Sequence, residues 1–167
     1  MEQDLFDLLI ADHRSIEWLF AEIETAGDLV TRRRALDEVI IELARHTVAE
    51  ETYLYPVMRA SLPAGDHLAA HEVGEHAEAD ELMDRLTSLN DGDPEFGTLL
   101  GALMSEVREH LQEEETELFP RLRQACGHRE LAELADQLHA DRSARSHEDA
   151  EESARSHEDA EESVRFA

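Results

Sequence analysis

A single cysteine, Cys126, stands in the whole chain, so no intrachain disulfide can form and a reducing, cytoplasmic setting is expected. Proline and glycine are scarce, at four and seven of 167 residues. Leu, Ala, Glu and Arg are plentiful by contrast, which together favours an all-helical protein. Positive charge is also short: 15 Lys and Arg face 41 Asp and Glu, for a net charge of -26. A field of that sign repels nucleic acid and anionic membrane and favours cations, although most of these carboxylates read as solvated helix faces. No apolar run is long enough to span a bilayer. The first residues, MEQDLFDLLIADHR, lack the basic and long apolar regions of a signal peptide. The length suits one domain with a tail.

What the chain does have is one eleven-residue pattern written twice, HTVAEETYLYP at 46–56 and HLQEEETELFP at 110–120. Each copy reads His, three residues, Glu-Glu, Thr, one variable residue, Leu, aromatic, Pro. Repetition in the same order points to two structurally equivalent segments. A His and a Glu four apart lie on one face of a helix, one turn apart.

Hydrophobic periodicity predicts five helices. The first covers about 3–25, with Phe6, Leu9, Ile16, Phe20 and Ile23 in its stripe and His13 among them. The second covers about 31–60, and the register of Leu36, Val39 and Leu43 carries His46, Glu50 and Tyr53 inward. A turn, SLPAGD at 61–66, leads to a third helix over about 67–89, and the loop NDGDP at 90–94 leads to a fourth over about 95–126. There Leu100, Leu103 and Val107 place His110, Glu114 and Glu117 in the same seats as in the second helix. A short fifth helix at about 128–139 carries Leu131, Leu134 and Leu138 and covers one flank. The resulting fold class is an all-α, up-down four-helix bundle over residues 1–140. Residues 141–167 hold the repeat SARSHEDAEE twice. With almost no apolar content they are expected to form a disordered or single-helix tail, in which His147 and His157 bind metal weakly at most.

Burying an unpaired carboxylate or imidazole costs several kcal/mol or forces the group neutral. Here His13, His46, Glu50, His110 and Glu114 all point inward from three helices, and helix bundles build metal sites this way. Several imidazoles with two carboxylates exceed what one ion needs, and carboxylates bridge paired ions. Mixed His and carboxylate donors with open positions suit iron or manganese; zinc in a closed structural site would more often draw on cysteine. Tyr53 and Glu117, one turn past the glutamates, either pack behind the site or reach it, and the Leu-aromatic-Pro endings read as packing. HEVGEH at 71–76 is not the zinc-protease motif, because its histidines are five apart.

With those residues placed, the sequence resembles the hemerythrin-like family of HHE cation-binding domains over about residues 5–125. DHR at 12–14, the two eleven-residue copies and EHAEADELMDRL at 75–86 carry the resemblance. It implies a bundle around a non-haem di-iron centre. His13, His46, His76 and His110 would be terminal imidazole ligands, and Glu50 and Glu114 bridging carboxylates beside an oxo or hydroxo bridge. A helical wheel alone favours His71 over His76 on the third helix; the family pattern selects His76. Oxygen-carrying members have a second His where this chain has Glu72 and a longer-spaced Asp on the fourth helix. Lacking both, this chain is not expected to carry oxygen reversibly. The expected function is binding of, or reaction with, dioxygen, peroxide or nitric oxide, with catalase-like turnover left open. The alternative is a non-enzymatic oxygen or iron sensor, or an iron-handling module, with a protein partner on the tail.

Overall fold

The apolar stripes decide the architecture, because each helix has one face that only another helix can cover. The computed structural model describes the backbone of residues 3–165 and the side chains of residues 3–147. Helix α1 (Leu5–Thr25) opens at Asp4, whose carboxylate accepts from the Asp7 amide while the Asp7 carboxylate accepts from that of Asp4. Helix α2 (Leu29–Ala49) is capped by Asp28 and runs through a π-helical segment, Glu50–Leu54, into α3 (Tyr55–Ser61) as one rod. Helix α4 (Gly65–Ser88) follows. Then α5 (Phe96–Glu113) passes through a second π segment, Glu114–Leu118, into α6 (Phe119–Ala125). These four rods form the up-down bundle. No strand occurs among the described residues, and none of their helices is long and apolar enough to cross a membrane.

Helix α7 starts at His128, where the fifth helix was expected, and continues without a break to Arg165. Its Leu131, Ala135 and Leu138 are buried in the same core as Leu5, Phe6 and Leu9 of α1. The repeat's side chains from 148 onward, His157 among them, and residues 166–167 lie outside the described residues.

The interior is divided in two. One apolar cluster gathers Phe6, Leu9, Leu54, Met58, Phe119 and Leu122 with α7. The other gathers Ile16, Phe20, Leu36, Val39, Leu86 and Leu103. Between them, at the depth of His13, lies a layer of buried polar side chains.

The α3–α4 connection shows how closely the rods are joined. Ala64 takes the left-handed conformation (φ 61), and the next residue, Gly65, is buried against α3. A Cβ on Gly65 would lie 2.1 Å from the Met58 carbonyl oxygen, so only glycine fits. Gly65→Ala is therefore expected to destabilise the fold by about 1–3 kcal/mol, the usual range for forced overpacking. Urea titration measures this; an unchanged midpoint would refute the close approach.

Candidate metal centre

All four rods contribute to the polar layer. Helix α1 supplies His13, α2 His46 with Glu50 at its end, α4 Glu72 and His76, and α5 His110 with Glu114 at its end. His13 and Glu50 are 0 % exposed, and His46 and Glu114 are 1 %. Nε2 of His46 lies 3.1 Å from Glu50, Nε2 of His76 3.2 Å from the other Glu50 oxygen, and Nε2 of His13 3.3 Å from Glu114. Three overlapping groups have donor atoms close enough to hold a cation: His13, His46, Glu50 and Glu114; Glu50, His76 and His110; and Glu72, His110 and Glu114. Glu50 and Glu114 each belong to two groups, so the carboxylates join the two sides of one centre. All six sequence-predicted residues are brought together, and Glu72 joins them.

The imidazoles are oriented alike. Nδ1 of His13 bonds Glu115 at 2.9 Å, and Glu115 is gripped by Arg14 at 2.8 and 3.1 Å. Nδ1 of His110 bonds Glu75 at 2.9 Å, and Nδ1 of His76 meets the Tyr55 hydroxyl at 3.0 Å. Nδ1 of His46 faces Asp12 at 3.6 Å, and Asp12 is held in turn by Arg142 of α7. With the outer nitrogen hydrogen-bonded in His13, His76 and His110 and facing a carboxylate in His46, Nε2 is left facing inward, the arrangement that fixes tautomer and ring angle in metal-ligating histidines. Asp12, Glu75 and Arg142 carry no periodic signal that marks them as supports.

The centre suits a cation better than it suits itself. Nε2 of His76 and Nε2 of His110 stand 3.1 Å apart, a distance two lone pairs tolerate only with a proton or cation between them. Buried atoms of His13, His46, Glu50, Glu72 and Glu114 have no hydrogen-bond partner, although such groups are almost always satisfied. Burial opposes the charge on Glu50, yet His46 beside it holds that carboxyl well below the usual range. Burial and the Glu50 charge push Glu114 well above it. Glu72 is raised to about 8 by burial and by Glu50, and burial with His46 lowers His13 to about 4. Like charges crowd here until something positive separates them.

Two expectations from α-helical periodicity need correction. Neither Tyr53 nor Glu117 reaches the centre: Tyr53 is buried in the core, as its register implied, but its hydroxyl bonds Asp141 of α7, and Glu117 is exposed. The π segments are the reason. The Tyr55 amide bonds the Glu50 carbonyl and the Phe119 amide that of Glu114, five residues back instead of four. In each copy the side chain that meets a candidate ligand comes two positions later than α-helical spacing puts it, at Tyr55 in place of Tyr53 and at Phe119 in place of Glu117. The Phe119 ring stacks 5.7 Å from His13. The endings read as packing thus include Tyr55, which touches a candidate ligand. Proline follows the aromatic in each copy, where an amide donor is absent. The preceding Thr52 and Thr116 hydroxyls bond carbonyls four residues back.

On α4, His76 turns inward, whereas His71 is half exposed and pairs loosely with Glu75. Leu82 and Leu89 lie on the same side of the wheel as His71. Both are only partly buried, and the buried face is instead Ala69, Glu72, Met83 and Leu86. The wheel's preference for His71 is thereby overturned. His147 is exposed and belongs to no such group among the described residues.

A cavity of about 150 Å³ opens beside the centre. His46, His76 and His110 line its inner end, Leu43, Met83 and Val107 its walls, and the exposed carboxylates of Glu78, Glu106 and Glu109 complete it.

Comparison with known proteins bears on the family and the fold. The family model described as the hemerythrin HHE cation binding domain matches residues 4–122. An uncharacterized hemerythrin-like protein of Schizosaccharomyces pombe is 29 % identical over 130 residues, 77 % of this chain and 64 % of that one. A protein of Nostoc named as a DNA nickase is 25 % identical over 142 residues, 85 % of this chain and 40 % of that one. The chain therefore spans less than two thirds of either relative. A crystal structure of a hemerythrin HHE cation binding domain-containing protein from Mycobacterium kansasii superposes with a TM-score of 0.72. It is 23 % identical and covers 83 % of this chain and 84 % of that one, a likeness of fold.

Removing a group that supports a metal-bound imidazole commonly costs 10–100-fold in affinity. Glu115→Gln is expected to weaken cation binding by about that factor while the metal-free melting curve stays in place, as titration calorimetry and circular dichroism would record. Tyr55→Phe should disturb the absorption of the metal-loaded centre and Tyr53→Phe should not. The reverse result would restore the unbroken α-helical register.

Proposed function

The chain belongs to the hemerythrin HHE cation-binding domain family, and from that premise we propose that it is a non-haem di-iron protein that reacts with small oxidants such as dioxygen, peroxide or nitric oxide. In this reading His13 and His46 would hold one iron and His76 and His110 the other, with Glu50 and Glu114 as the carboxylate ligands within reach of both sides. The observation that carries it is the inward convergence of four Nε2 atoms on two shared carboxylates whose buried oxygens have no other partner. Four imidazoles with carboxylates and no thiolate suit iron or manganese more than structural zinc.

Bound iron would supply one- and two-electron exchange with an oxidant. The chain's own residues do the rest. With Nε2 on a cation, Nδ1 of His13 donates to Glu115, that of His110 to Glu75, and that of His76 to the Tyr55 hydroxyl oxygen, which keeps each ring basic and fixed. The two apolar clusters above and below exclude bulk water. The cavity of about 150 Å³ admits a small molecule to His46, His76 and His110. The lone cysteine fits a cytoplasmic protein. Nicking of DNA is not part of this reading, since a net charge of -26 opposes contact with phosphate backbone.

One observation favours a second reading, that of a sensor or iron-handling module. The run from His46 through Asp12 to Arg142 ties the centre to α7, so a change at the centre has a physical route to the helix that carries the acidic repeat.

Elemental analysis of protein expressed with iron is expected to find about two irons per chain, with ligand-to-metal absorption in the near ultraviolet. Catalytic loss of peroxide or nitric oxide supports the first reading, and stoichiometric binding with a shape change the second. Zinc, or no metal, refutes both. Iron at 100 times its dissociation constant adds about 2.7 kcal/mol, or roughly 5–10 °C in melting temperature for a chain of this size. Chelation should reverse that gain, and His46→Ala or Glu114→Ala should abolish it. Two irons per chain and an unchanged melting temperature in either variant would show the site to be elsewhere.

A further inference from the structure

The cavity beside the centre carries a charge pattern that the proposed chemistry leaves unused. The cavity opens between α2, α4 and α5, and His46, His76 and His110 form its inner end. His46 is 1 % exposed, and its Nε2 has no hydrogen-bond partner. Glu78 of α4 and Glu106 and Glu109 of α5, all three exposed, ring the outer end, with Glu75 and Asp80 beside them. Among the described residues no arginine or lysine lines this cavity. Slight burial and the charges of Glu78 and Glu109 push the Glu106 carboxyl above its ordinary value, so side chains from two helices share one negative field.

Other hollows of the bundle differ. One of about 300 Å³ meets His13 on the α1–α5 side, but there Arg14 and Arg108 offset Glu17 and Glu115, and Nδ1 of His13 is already bonded to Glu115. Another, against Ile23 and Leu100, is lined by Arg32 and Arg108 and reaches no candidate ligand. A cleft lined by charge of one sign focuses its field and raises the local concentration of counter-ions. Of these three cavities, only the one between α2, α4 and α5 joins such a lining to imidazoles that face the centre.

Resting on the di-iron reading above, we infer that this cavity is the port through which ferrous iron reaches the centre, with Glu78, Glu106 and Glu109 drawing the ion from solvent and His76 and His110 receiving it. The three carboxylates are guides and not ligands of the loaded centre, since none belongs to a group whose donor atoms lie close enough to hold a cation. Carboxamides in their place leave the centre's own donors intact and remove the attraction. Because the attraction acts between exposed charges and a free ion, added salt screens it.

Metal-free protein is mixed anaerobically by stopped flow with ferrous iron held on a weak coloured chelator, at low salt and at about 1 M, where screening acts within about 3 Å. A variant combining Glu78→Gln, Glu106→Gln and Glu109→Gln is expected to load at least about tenfold more slowly than wild type at low salt, the lower end of the range for electrostatic steering. At high salt the two rates should converge, and both proteins should finish with the same iron content. A control combining Glu130→Gln, Glu133→Gln and Asp136→Asn, at exposed positions of α7, makes the same change in net charge and should load as wild type does. Glu106→Arg alone reverses one exposed charge, should slow loading in the same sense, and serves if the combined variant does not fold. Equal low-salt rates for wild type and the carboxamide variant, or equal slowing in the α7 control, would overturn the port while leaving the di-iron reading intact. A carboxamide variant that finishes with less iron than wild type would make these side chains ligands and overturn it as well. Wild type that takes up no iron would remove both.

Discussion

Everything in this protein is arranged around ionisable groups buried in the middle of a small bundle. His13, His46, Glu50, Glu72 and Glu114 lie between two apolar clusters, away from water. A cluster so placed is unfavourable unless its charges are balanced. Without a cation the balance is uneven: His46 favours the charge on Glu50 against the cost of burial, while burial and the Glu50 charge oppose that on Glu114. A cation balances all of them at once, and this couples metal binding to folding stability.

The surroundings serve the same requirement. Each imidazole is braced from behind by Glu115, Asp12, Tyr55 or Glu75, and two of those braces are themselves gripped by arginine, Arg14 or Arg142. The two apolar clusters differ in role. The one around Phe20 and Leu36 closes the bundle at its α1–α2 turn. The one around Phe6 and Phe119 also seats α7, which reaches back towards the centre through Arg142 and Asp12. Arg142 of α7 is therefore linked to Asp12, which faces His46, 130 positions earlier in the chain.

The π segments are the least ordinary part of the backbone. Such turns are rare and cluster at functional sites, because they insert a residue without breaking the rod. Both begin at the shared glutamates, and both end at an aromatic that packs on a candidate ligand or bonds it. The threonine and proline of the repeated motif are explained by this backbone. The hydroxyl bonds a carbonyl within the loosened ladder, and the proline omits a donor.

The amino-acid sequence by itself determined the helical class, the four rods, and five of the six predicted residues of the centre. Those features follow from periodicity and from a doubled motif, both local in the chain, and the sixth, His76, came from family resemblance. Only the tertiary structure decided the rest. It showed His71 on the solvent side because Leu82 and Leu89 are merely partly covered, and it brought Glu72 inward with His76. It replaced Tyr53 and Glu117 with Tyr55 and Phe119, because a reading that assumes 3.6 residues per turn cannot register a widened one. It also supplied Asp12, Glu75 and Arg142 as supports, since a bond between residues far apart in sequence leaves no periodic trace in either.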